Sequence, residues 1–502
     1  MENNYLKRIL RAHVYDVAIE SPLPLAPRLS ERLGNQIFIK REDLQPIFSF
    51  KIRGAYNRIA NLTEQERQLG VITASAGNHA QGVALSAKKF GIKALIVMPM
   101  ITPSIKVQAV KRMGAEVLLH GESYNDAQQK AYDLQKELGM TFVHPYDDPD
   151  VIAGQGTVGL EILRQSPVLP DIIFVPVGGG GLISGVAVAV KSLYPDIKII
   201  GVEPVDAASM KSSLDAGKPV VLASVGTFAD GVTTKTVGQE TFRIAAQYVD
   251  EVILVDNDSI CAAVKDVCDE FRSILEPAGA ISIAGLKAYV EREKISGKNL
   301  CAIASGANLN FNRLRHIAER ADYGENREAI FAVTLDERPG AFKNFCTALS
   351  AFNITEFNYR FDTPKAAFVY VGIEIRNKKQ RKEITDLIKS QGLPVVDLSE
   401  NEVAKLHIRH MVGGKNSAVT NERIIRFQFP ERPGALMKFL SSLNPRWNIS
   451  LFHYRSHSSD VGRVLSGIQV PDQDQAEFNA FLERLGYEYF DETQNEACQL
   501  FL

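Results

Sequence analysis

Residues 174–182 read Phe-Val-Pro-Val-Gly-Gly-Gly-Gly-Leu, an apolar run that leads through four consecutive glycines into the apolar segment ISGVAVAV. This pattern predicts a buried strand, a glycine turn and a helix. Because glycine has no Cβ, such a turn can close around a compact anion and present backbone N–H groups to it, with help from the helix dipole. We expect a phosphate group to bind there, on Gly178, Gly179, Gly180, Gly181 and Leu182.

Glycine-rich turns before a helix also occur in two nucleotide-binding motifs, GxxxxGK[ST] and GxGxxG. Neither GxxxxGK[ST] nor GxGxxG occurs at the four glycines, which argues against a nucleoside triphosphate or a dinucleotide there. The letters GxGxxG do occur at residues 154–159, but they follow the turn-like stretch PYDDPDVIA instead of a strand. We therefore treat that match as weak and expect an irregular loop.

The alternation of strand and helix patterns extends over roughly the first 305 residues. KALIVMPM, AEVLLH and TFVHP are strand-like runs, and helical patterns separate them. This βαβ order predicts an α/β fold with mostly parallel sheets, in which ligands bind at the carboxyl ends of the strands.

A lysine lies in the segment Ser-Phe-Lys-Ile-Arg-Gly-Ala-Tyr of residues 49–56. Most lysines are solvated surface cations, and that interpretation also applies to Lys51 taken alone. Its apolar neighbours Phe50 and Ile52 favour a different environment. A lysine in an apolar pocket loses its proton more easily, as a Schiff-base nucleophile must.

Residues 71–82, VITASAGNHAQG, predict a short strand that turns through small polar residues into an alanine-rich helix. The free N–H groups at a helix N-terminus bind anions, so a substrate carboxylate could lie on the loop from Ser75 to His79. From this segment alone, Ser75 or Asn78 could equally be a simple helix cap. His79 could be an ordinary hydrogen-bonded core histidine.

Residues 300–308, LCAIASGAN, predict a buried strand that ends at a serine before a glycine turn. In isolation Ser305 is best explained as a structural turn residue.

The C-terminal part of the chain contains an internal repeat. Glu-Arg-Pro-Gly-Ala at residues 337–341 recurs 94 positions later at residues 431–435, and matching Asn, Ile, Phe, Tyr and Arg residues of 353–360 recur 95 positions later at 448–455. Each copy predicts the order strand, helix, strand, strand, helix, strand of a ferredoxin-like unit. The charged stretch 313–327 predicts a helix that leads into a linker. The two copies could serve assembly alone.

Composition and charge exclude several classes of protein. The 57 basic and 59 acidic side chains give a net charge of −2, which provides no long-range attraction to nucleic acid or to a membrane surface. With 45% hydrophobic and 23% charged residues, the chain should form globular domains. Residues 172–190 are uncharged and long enough to span a membrane, but Pro176 and the four glycines interrupt them and favour a strand, a loop and a helix instead.

Compartment and metal content follow from cysteines, histidines and the N-terminus. The five cysteines include no CxxC pair, which predicts a reducing compartment without disulfides or structural zinc. The N-terminus has no apolar signal segment, so we expect a cytoplasmic protein. The pairs His407 with His410 and His453 with His457 lack an HExxH motif, and we expect no metal site.

Taken in order, the lysine, the carboxylate-type loop, the phosphate-type loop and the strand-end serine resemble the fold-type II family of pyridoxal-phosphate enzymes. SFKIRGAYN, ASAGNHAQG, PVGGGGL and SGAN are specific in combination. Together with the doubled C-terminal unit, they resemble the biosynthetic threonine ammonia-lyases over nearly the whole chain. The resemblance implies pyridoxal 5'-phosphate as cofactor and conversion of L-threonine to 2-oxobutanoate and ammonia. It also implies a homotetramer regulated by isoleucine, with valine as a second candidate effector.

The resemblance also implies domains and roles. It places a catalytic domain with two parallel-sheet subdomains at residues 1–320 and ACT-like regulatory units at 328–400 and 422–495. The turns Pro339-Gly340 and Pro433-Gly434 are candidate sites for an effector carboxylate. The resemblance implies Lys51 as Schiff-base lysine and general base, with Phe50 beside it. The implied cofactor contacts are Asn78 at the phenolic oxygen, Gly178 to Leu182 at the phosphate and Ser305 at the pyridine nitrogen. The implied contacts of the substrate carboxylate are Ser75, Gly77, Asn78 and His79.

Other activities would use the same set of residues. Serine or threonine racemase, threonine synthase and β-replacement enzymes are the nearest alternatives, and the doubled C-terminal unit favours the ammonia-lyase over them. A non-catalytic amino-acid sensor is an alternative of another class. The presence of Lys51, Asn78, the glycine loop and Ser305 together argues against the sensor.

Overall fold

The computed structural model describes residues 4–325, 327–336, 338, 340–360, 366–401, 404–405, 408–410, 416, 419–430, 435–455, 461–495, 498 and 502. The chain forms two compact units, Met1–Gly324 and Glu325–Leu502. Over these described ranges, no helix is both long enough and apolar enough to cross a bilayer.

The first unit alternates strands and helices, as the βαβ pattern predicts. Its strands are β1 (Gln36–Arg41), β2 (Val71–Ala74), β3 (Ala94–Met98), β4 (Glu116–Leu119), β5 (Thr141–Phe142), β6 (Ile172–Pro176), β7 (Lys198–Pro204), β8 (Glu251–Val255) and β9 (Asn299–Ala304). Its helices are α1 (Tyr5–Leu10), α2 (Pro27–Leu33), α3 (Lys51–Ala60), α4 (Glu64–Leu69), α5 (Asn78–Phe90), α6 (Ser104–Arg112), α7 (Tyr124–Leu138), α8 (Pro149–Gln165), α9 (Gly181–Leu193), α10 (Ser209–Ala216), α11 (Gln239–Tyr248), α12 (Asn257–Phe271), α13 (Pro277–Glu293) and α14 (Leu314–Gly324).

These strands form two parallel sheets. One has the order β1-β9-β6-β7-β8 and the other the order β4-β3-β2-β5. The paired strands run parallel throughout both sheets. Every residue of β6 is buried, as expected for a central strand covered by helices on both faces. The predicted α/β class with two parallel-sheet subdomains is confirmed.

The GxGxxG stretch is helical, so the loop expected at residues 154–159 is wrong. The helix α8 starts at Pro149, and the side chain of Asp148 accepts hydrogen bonds from the N–H groups of Asp150 and Val151. The capping aspartate and the proline at the first helical position are helix-start signals that the turn-like reading overlooked.

The glycines of α8 permit close helix packing. A Cβ atom on Gly154 would lie 2.6 Å from the carbonyl oxygen of Arg53 in α3, and one on Gly156 would lie 2.9 Å from the carbonyl oxygen of Gly185 in α9. Real Cβ atoms do not approach backbone this closely. The motif therefore lets α8 pack against the helix that carries Lys51 and the helix that follows the four glycines.

The second unit contains both copies of the repeat. The first copy comprises β10 (Glu328–Asp336), α15 (Ala341–Ala348), β11 (Ile354–Arg360), β12 (Ala366–Glu374), α16 (Lys378–Ser390) and β13 (Val395–Asp397). The second comprises β14 (Glu422–Pro430), α17 (Ala435–Ser442), β15 (Asn448–Arg455), β16 (Val461–Gln469), α18 (Gln475–Leu485) and β17 (Glu488–Asp491). Each copy has the predicted ferredoxin-like order.

The two copies share one antiparallel sheet with the order β13-β10-β12-β11-β15-β16-β14-β17. Strands β11 and β15 pair in the middle, with Phe357 opposite Tyr454 and Tyr359 opposite Phe452. The repeated Phe and Tyr positions therefore lie at the junction of the copies. The domain bounds 1–320, 328–400 and 422–495 themselves stay a prediction.

A buried group of four charges surrounds the start of α3. Arg53 donates to Glu161 at 2.5 Å and to Glu42 at 2.7 Å, and Lys40 of β1 donates to Glu161 at 2.6 Å. All four side chains are 0% exposed. Two cations and two anions balance, and the group links α3 to β1 and α8 two residues after Lys51. Buried charges are tolerated when they are paired in this way.

We expect the substitution Glu161→Gln to lower the free energy of unfolding by about 3–5 kcal/mol, because Arg53 and Lys40 would lose a buried partner. Denaturant unfolding of the whole chain would measure the change. The matched control is Glu20→Gln, whose carboxylate pairs with Arg164 while 45% exposed. Loss of this exposed ion pair should lower the free energy of unfolding by no more than about 1 kcal/mol. Equal shifts for the two variants would contradict this account.

Candidate active site

Lys51 is the first residue of α3; the residue is half-buried, and its amine is desolvated by the surrounding protein. Its Nζ donates to the carbonyl oxygen of Pro145 at 2.8 Å and lies 5.4 Å from the ring centroid of Phe50. Burial lowers the pKa of the Lys51 amine to about 8, from about 10.4 for an ordinary lysine. The neutral, nucleophilic form is therefore reached near physiological pH, which the apolar neighbours in the sequence had predicted.

Two histidines near Lys51 remain uncharged. Burial, followed by the charge of Lys51, lowers the pKa of His79 to about 3. Burial likewise lowers the pKa of His144 to about 4. The Nε2 atom of His79 lies 2.9 Å from the carbonyl oxygen of Val143, which an N–H at Nε2 would satisfy. Its Nδ1 is then a buried acceptor that has no partner within the described residues, as in a site completed by a ligand.

The loop from Ser75 to His79 forms an open helix N-terminus. Helix α5 begins at Asn78, no side chain caps it, and the Ser75 hydroxyl accepts from the N–H of Gly77 at 3.3 Å. A Cβ on Gly77 would meet nothing within 4 Å, so there is room for a ligand. A Cβ on Gly82 would lie 3.2 Å from the carbonyl oxygen of Lys51, which shows that α5 packs directly against α3.

The four glycines form the predicted turn between β6 and α9. Gly180 has φ +94°, a conformation that glycine adopts without strain. A Cβ on Gly179 would lie 2.3 Å from the ring of Tyr146, and one on Gly178 would lie 2.8 Å from the carbonyl oxygen of Val232. Side chains at these two positions would collide with Tyr146 and Val232, so only glycine fits there.

The backbone of this turn is available for an anion. Within the described chain, the N–H groups from Gly178 to Leu182 donate to no protein acceptor. Free N–H groups at a helix N-terminus are suited to phosphate.

Contacts bring three of the four motifs together. The carbonyl oxygen of Pro145 accepts a hydrogen bond from the Lys51 amine. The ring of the next residue, Tyr146, lies against Gly179 of the glycine turn. The N–H of Phe50 donates to the carbonyl oxygen of Ser305 at 3.3 Å. The Ser305 hydroxyl donates to the carbonyl oxygen of Ala278 at 3.3 Å. The lysine, the glycine turn and the strand-end serine therefore border one site.

Sequence reasoning missed two residues that hold Asn78. Its Nδ2 donates to Glu276 at 2.6 Å, and its Oδ1 accepts from Asn308 at 2.6 Å. Asn308 belongs to the SGAN motif but received no role. Glu276 had a detectable signal, because it is a lone acid in the apolar run ILEPAGAISIAG.

Several predicted residues lie outside the described residues. These are Pro339, Pro433 and Gly434 of the Pro-Gly turns and His407 and His457 of the histidine pairs.

Comparisons with known proteins agree with this geometry. The sequence profile described as "Pyridoxal-phosphate dependent enzyme" matches residues 15–306. The profile described as "C-terminal regulatory domain of Threonine dehydratase" matches residues 319–408 and 413–502. The chain is thus similar to both families over successive parts of its length.

Whole-chain relatives and a solved structure extend the similarity. The "L-threonine dehydratase biosynthetic IlvA" of Burkholderia multivorans is 54% identical over 503 residues, which cover 100% of this chain and 99% of the relative. The protein of the same name from Escherichia coli is 52% identical over 499 residues, which cover 99% and 97%. The processed form of threonine deaminase isoform 2 from Solanum lycopersicum has a TM-score of 0.62 at 54% identity, covering 63% of this chain and 87% of that chain.

We expect Lys51 to react with an aldehyde at lower pH than the other lysines. Because its pKa is about 8, the reactive neutral amine should increase through about pH 8 and level off about one pH unit above that. Exposed lysines should keep gaining reactivity towards about pH 10. Brief treatment of the cofactor-free protein with an aldehyde and borohydride, followed by peptide mass spectrometry, measures the labelling of Lys51 and of the exposed lysines in one sample. Lys51 labelling that follows the exposed lysines would contradict the assignment.

Proposed function

The chain belongs to the biosynthetic threonine dehydratases, a pyridoxal-phosphate-dependent family, and from that premise we propose that it converts L-threonine to 2-oxobutanoate and ammonia with Lys51 as its central residue. The observation that carries the proposal is the buried Lys51 amine, whose pKa is lowered to about 8 by burial. A lysine of this kind can both form a Schiff base and act as a general base.

The residues of the site fit pyridoxal phosphate. The turn from Gly178 to Leu182 offers free N–H groups, and its four glycines carry no Cβ atoms. Lys51 supplies the amine for the covalent link, and Phe50 lies beside that amine. We assign Asn78 to the phenolic oxygen and Ser305 to the pyridine nitrogen. When bound, the cofactor supplies an electron sink for negative charge at the substrate Cα.

The protein residues place the substrate and move its proton. The N-terminus of α5, with Ser75, Gly77, Asn78 and His79, would hold the threonine carboxylate by backbone N–H donors. That anchor orients the Cα–H bond towards Lys51, whose neutral amine removes the proton. The β-hydroxyl then leaves as water, and water is taken up again when ammonia is released, so the atoms balance. A neutral Ser305 does not enforce a charged ring nitrogen, which favours elimination over transamination.

We expect Lys51→Ala to lower threonine turnover by at least about 10²- to 10⁴-fold, the contribution of a positioned general base. The assay measures 2-oxobutanoate from threonine and pyruvate from serine. Borohydride should fix the cofactor to the unaltered protein at Lys51 and leave the variant unlabelled. Lys89→Ala is the control, because Lys89 is an exposed residue of α5. Near-normal turnover in Lys51→Ala, or racemised amino acid with little oxoacid, would contradict the proposal.

The second unit contains a cavity that supports regulation by an amino acid. Its volume is about 140 Å³, and a cavity of about 150 Å³ can hold benzene. It lies between the two copies of the repeat and is lined by Leu335, Asp336, Arg338, Gly340, Ala341, Phe342, Lys343, Tyr359, Leu440, Leu443, Asn444, Pro445, Trp447, Asn448 and Ile449.

The chemistry of this lining matches a zwitterion with an aliphatic side chain. Arg338 and Lys343 suit a carboxylate, Asp336 suits an ammonium group, and Leu440 and Trp447 suit a branched side chain. Isoleucine is the proposed ligand, with valine as the second candidate. It regulates the enzyme through unequal affinity for two conformations. A homotetramer in the cytoplasm remains part of the proposal.

Filling this cavity should weaken the response to isoleucine. We expect Ala341→Leu, which places a larger side chain in the cavity, to weaken the response at least about tenfold, a typical size for an allosteric coupling. Threonine turnover without isoleucine should stay unchanged. The control is Ala348→Leu, at a half-buried position in the same helix α15 that does not line the cavity. An unaltered isoleucine response in Ala341→Leu would place the effector elsewhere.

A further inference from the structure

Glu276 is a buried acid that the proposed reaction does not use. It precedes Pro277, the first residue of α13, and is 5% exposed. Its Oε1 would lie 2.4 Å from a Cβ on Gly306 and 3.6 Å from a Cβ on Gly231. The carboxyl group therefore occupies the space that these two glycines leave, next to Ser305.

Glu276 ends a chain of hydrogen bonds that runs through Asn78. The Nδ2 of Asn308 donates to the carbonyl oxygen of Ile47 at 2.7 Å and to Oδ1 of Asn78 at 2.6 Å. Since a carbonyl oxygen can only accept, the orientation of the Asn308 amide is determined, and so is that of Asn78. The Nδ2 of Asn78 consequently points to Glu276, at 2.6 Å. Its second N–H is left for a ligand.

The environment of Glu276 resists its negative charge. Burial is the main cause that raises the pKa of the Glu276 carboxyl to about 7. The hydrogen bond from Asn78 opposes that effect, as do the charges of Lys106 and Arg313, while Asp230 adds to it. Lys106 of α6 and Arg313 both pair with Asp230, at 2.9 and 3.4 Å.

An ionised Glu276 costs stability. Between the ordinary glutamate pKa of about 4.3 and about 7, the folded protein holds a proton that the unfolded chain releases. Stability contributed by this group therefore falls as the pH rises through that window. Ionisation of this carboxyl near neutral pH therefore lowers the stability of the folded protein. The contact that ionisation strengthens is the hydrogen bond from Asn78.

We propose that Glu276 is a positioning residue for the deamination: its ionised carboxylate holds the amide of Asn78 in the orientation that the reaction uses, and uptake of a proton weakens that hydrogen bond. This inference rests on the proposed function, in which Asn78 contacts the cofactor. It adds to that function a residue, Glu276, that acts through Asn78, and it makes the orientation of Asn78 depend on pH.

The test compares the unaltered holoenzyme with Glu276→Gln. The absorbance of the bound cofactor, recorded without substrate from pH 6 to 9, should change in the unaltered protein with a midpoint near the Glu276 pKa of about 7. That transition should be absent in Glu276→Gln. At pH 8, kcat should fall by roughly tenfold, because the variant's neutral amide oxygen replaces an ionised acceptor and a charge-assisted hydrogen bond is the stronger one. The unfolding temperature at pH 8 should be equal or higher, which a purely structural role would not give.

A second buried glutamate provides a matched control. Burial also raises the pKa of Glu203 to about 7, but its carboxylate accepts from the N–H groups of Met210 and Lys211 at the start of α10. Glu203→Gln should lower the unfolding temperature and keep the spectral midpoint. Loss of the midpoint in Glu203→Gln, or its persistence in Glu276→Gln, would overturn the inference.

A second variant keeps the inference testable if Glu276→Gln does not fold. Asn308→Ala removes the other anchor of Asn78 and leaves Glu276 to titrate. It should lower kcat and keep the spectral midpoint, whereas an unchanged kcat would overturn the inference. A chain that binds no pyridoxal phosphate at all would instead overturn the proposed function, so the two failures are distinguishable.

Discussion

The burial of one cation, the Lys51 amine, is the constraint on which the first unit depends. Desolvation makes the neutral amine accessible near pH 8, and an exposed lysine would remain protonated there. The helix that carries Lys51 must therefore be held against the core without placing a second unpaired charge beside it. The balanced group of Arg53, Glu42, Glu161 and Lys40 meets this requirement, because it fixes α3 through charges that neutralise one another.

Glycines let the surrounding helices approach this position. Gly82 brings α5 against the backbone of Lys51, and Gly154 and Gly156 bring α8 against α3 and α9. The N-terminal ends of α5 and α9 consequently lie close to the lysine. In the second unit, a single strand pairing between β11 and β15 joins the two copies of the repeat into one sheet.

Much of this was readable from local sequence. The strand-to-helix order, the glycine turn and the doubled unit are local patterns, and the structure contains all three. The helix at residues 154–159 was missed although Asp148 and Pro149 signal its start, and the role of its glycines could not be predicted because they contact helices distant in sequence. Glu276 was missed for the same reason: its burial and its bond to Asn78 arise between residues 198 positions apart, and no local periodicity encodes such a contact.

The charges of the site explain why backbone groups, and not basic side chains, are assigned to its two anions. A fixed cation beside Lys51 would lower its pKa further, whereas a fixed anion would raise it and keep the amine protonated. His79 and His144 are neutral, so they add no charge. The helix ends at Asn78 and Gly181 offer neutral N–H donors to a carboxylate and a phosphate separately. Each anion then has its own anchor, and burial remains the cause by which the described residues of the protein lower the pKa of Lys51.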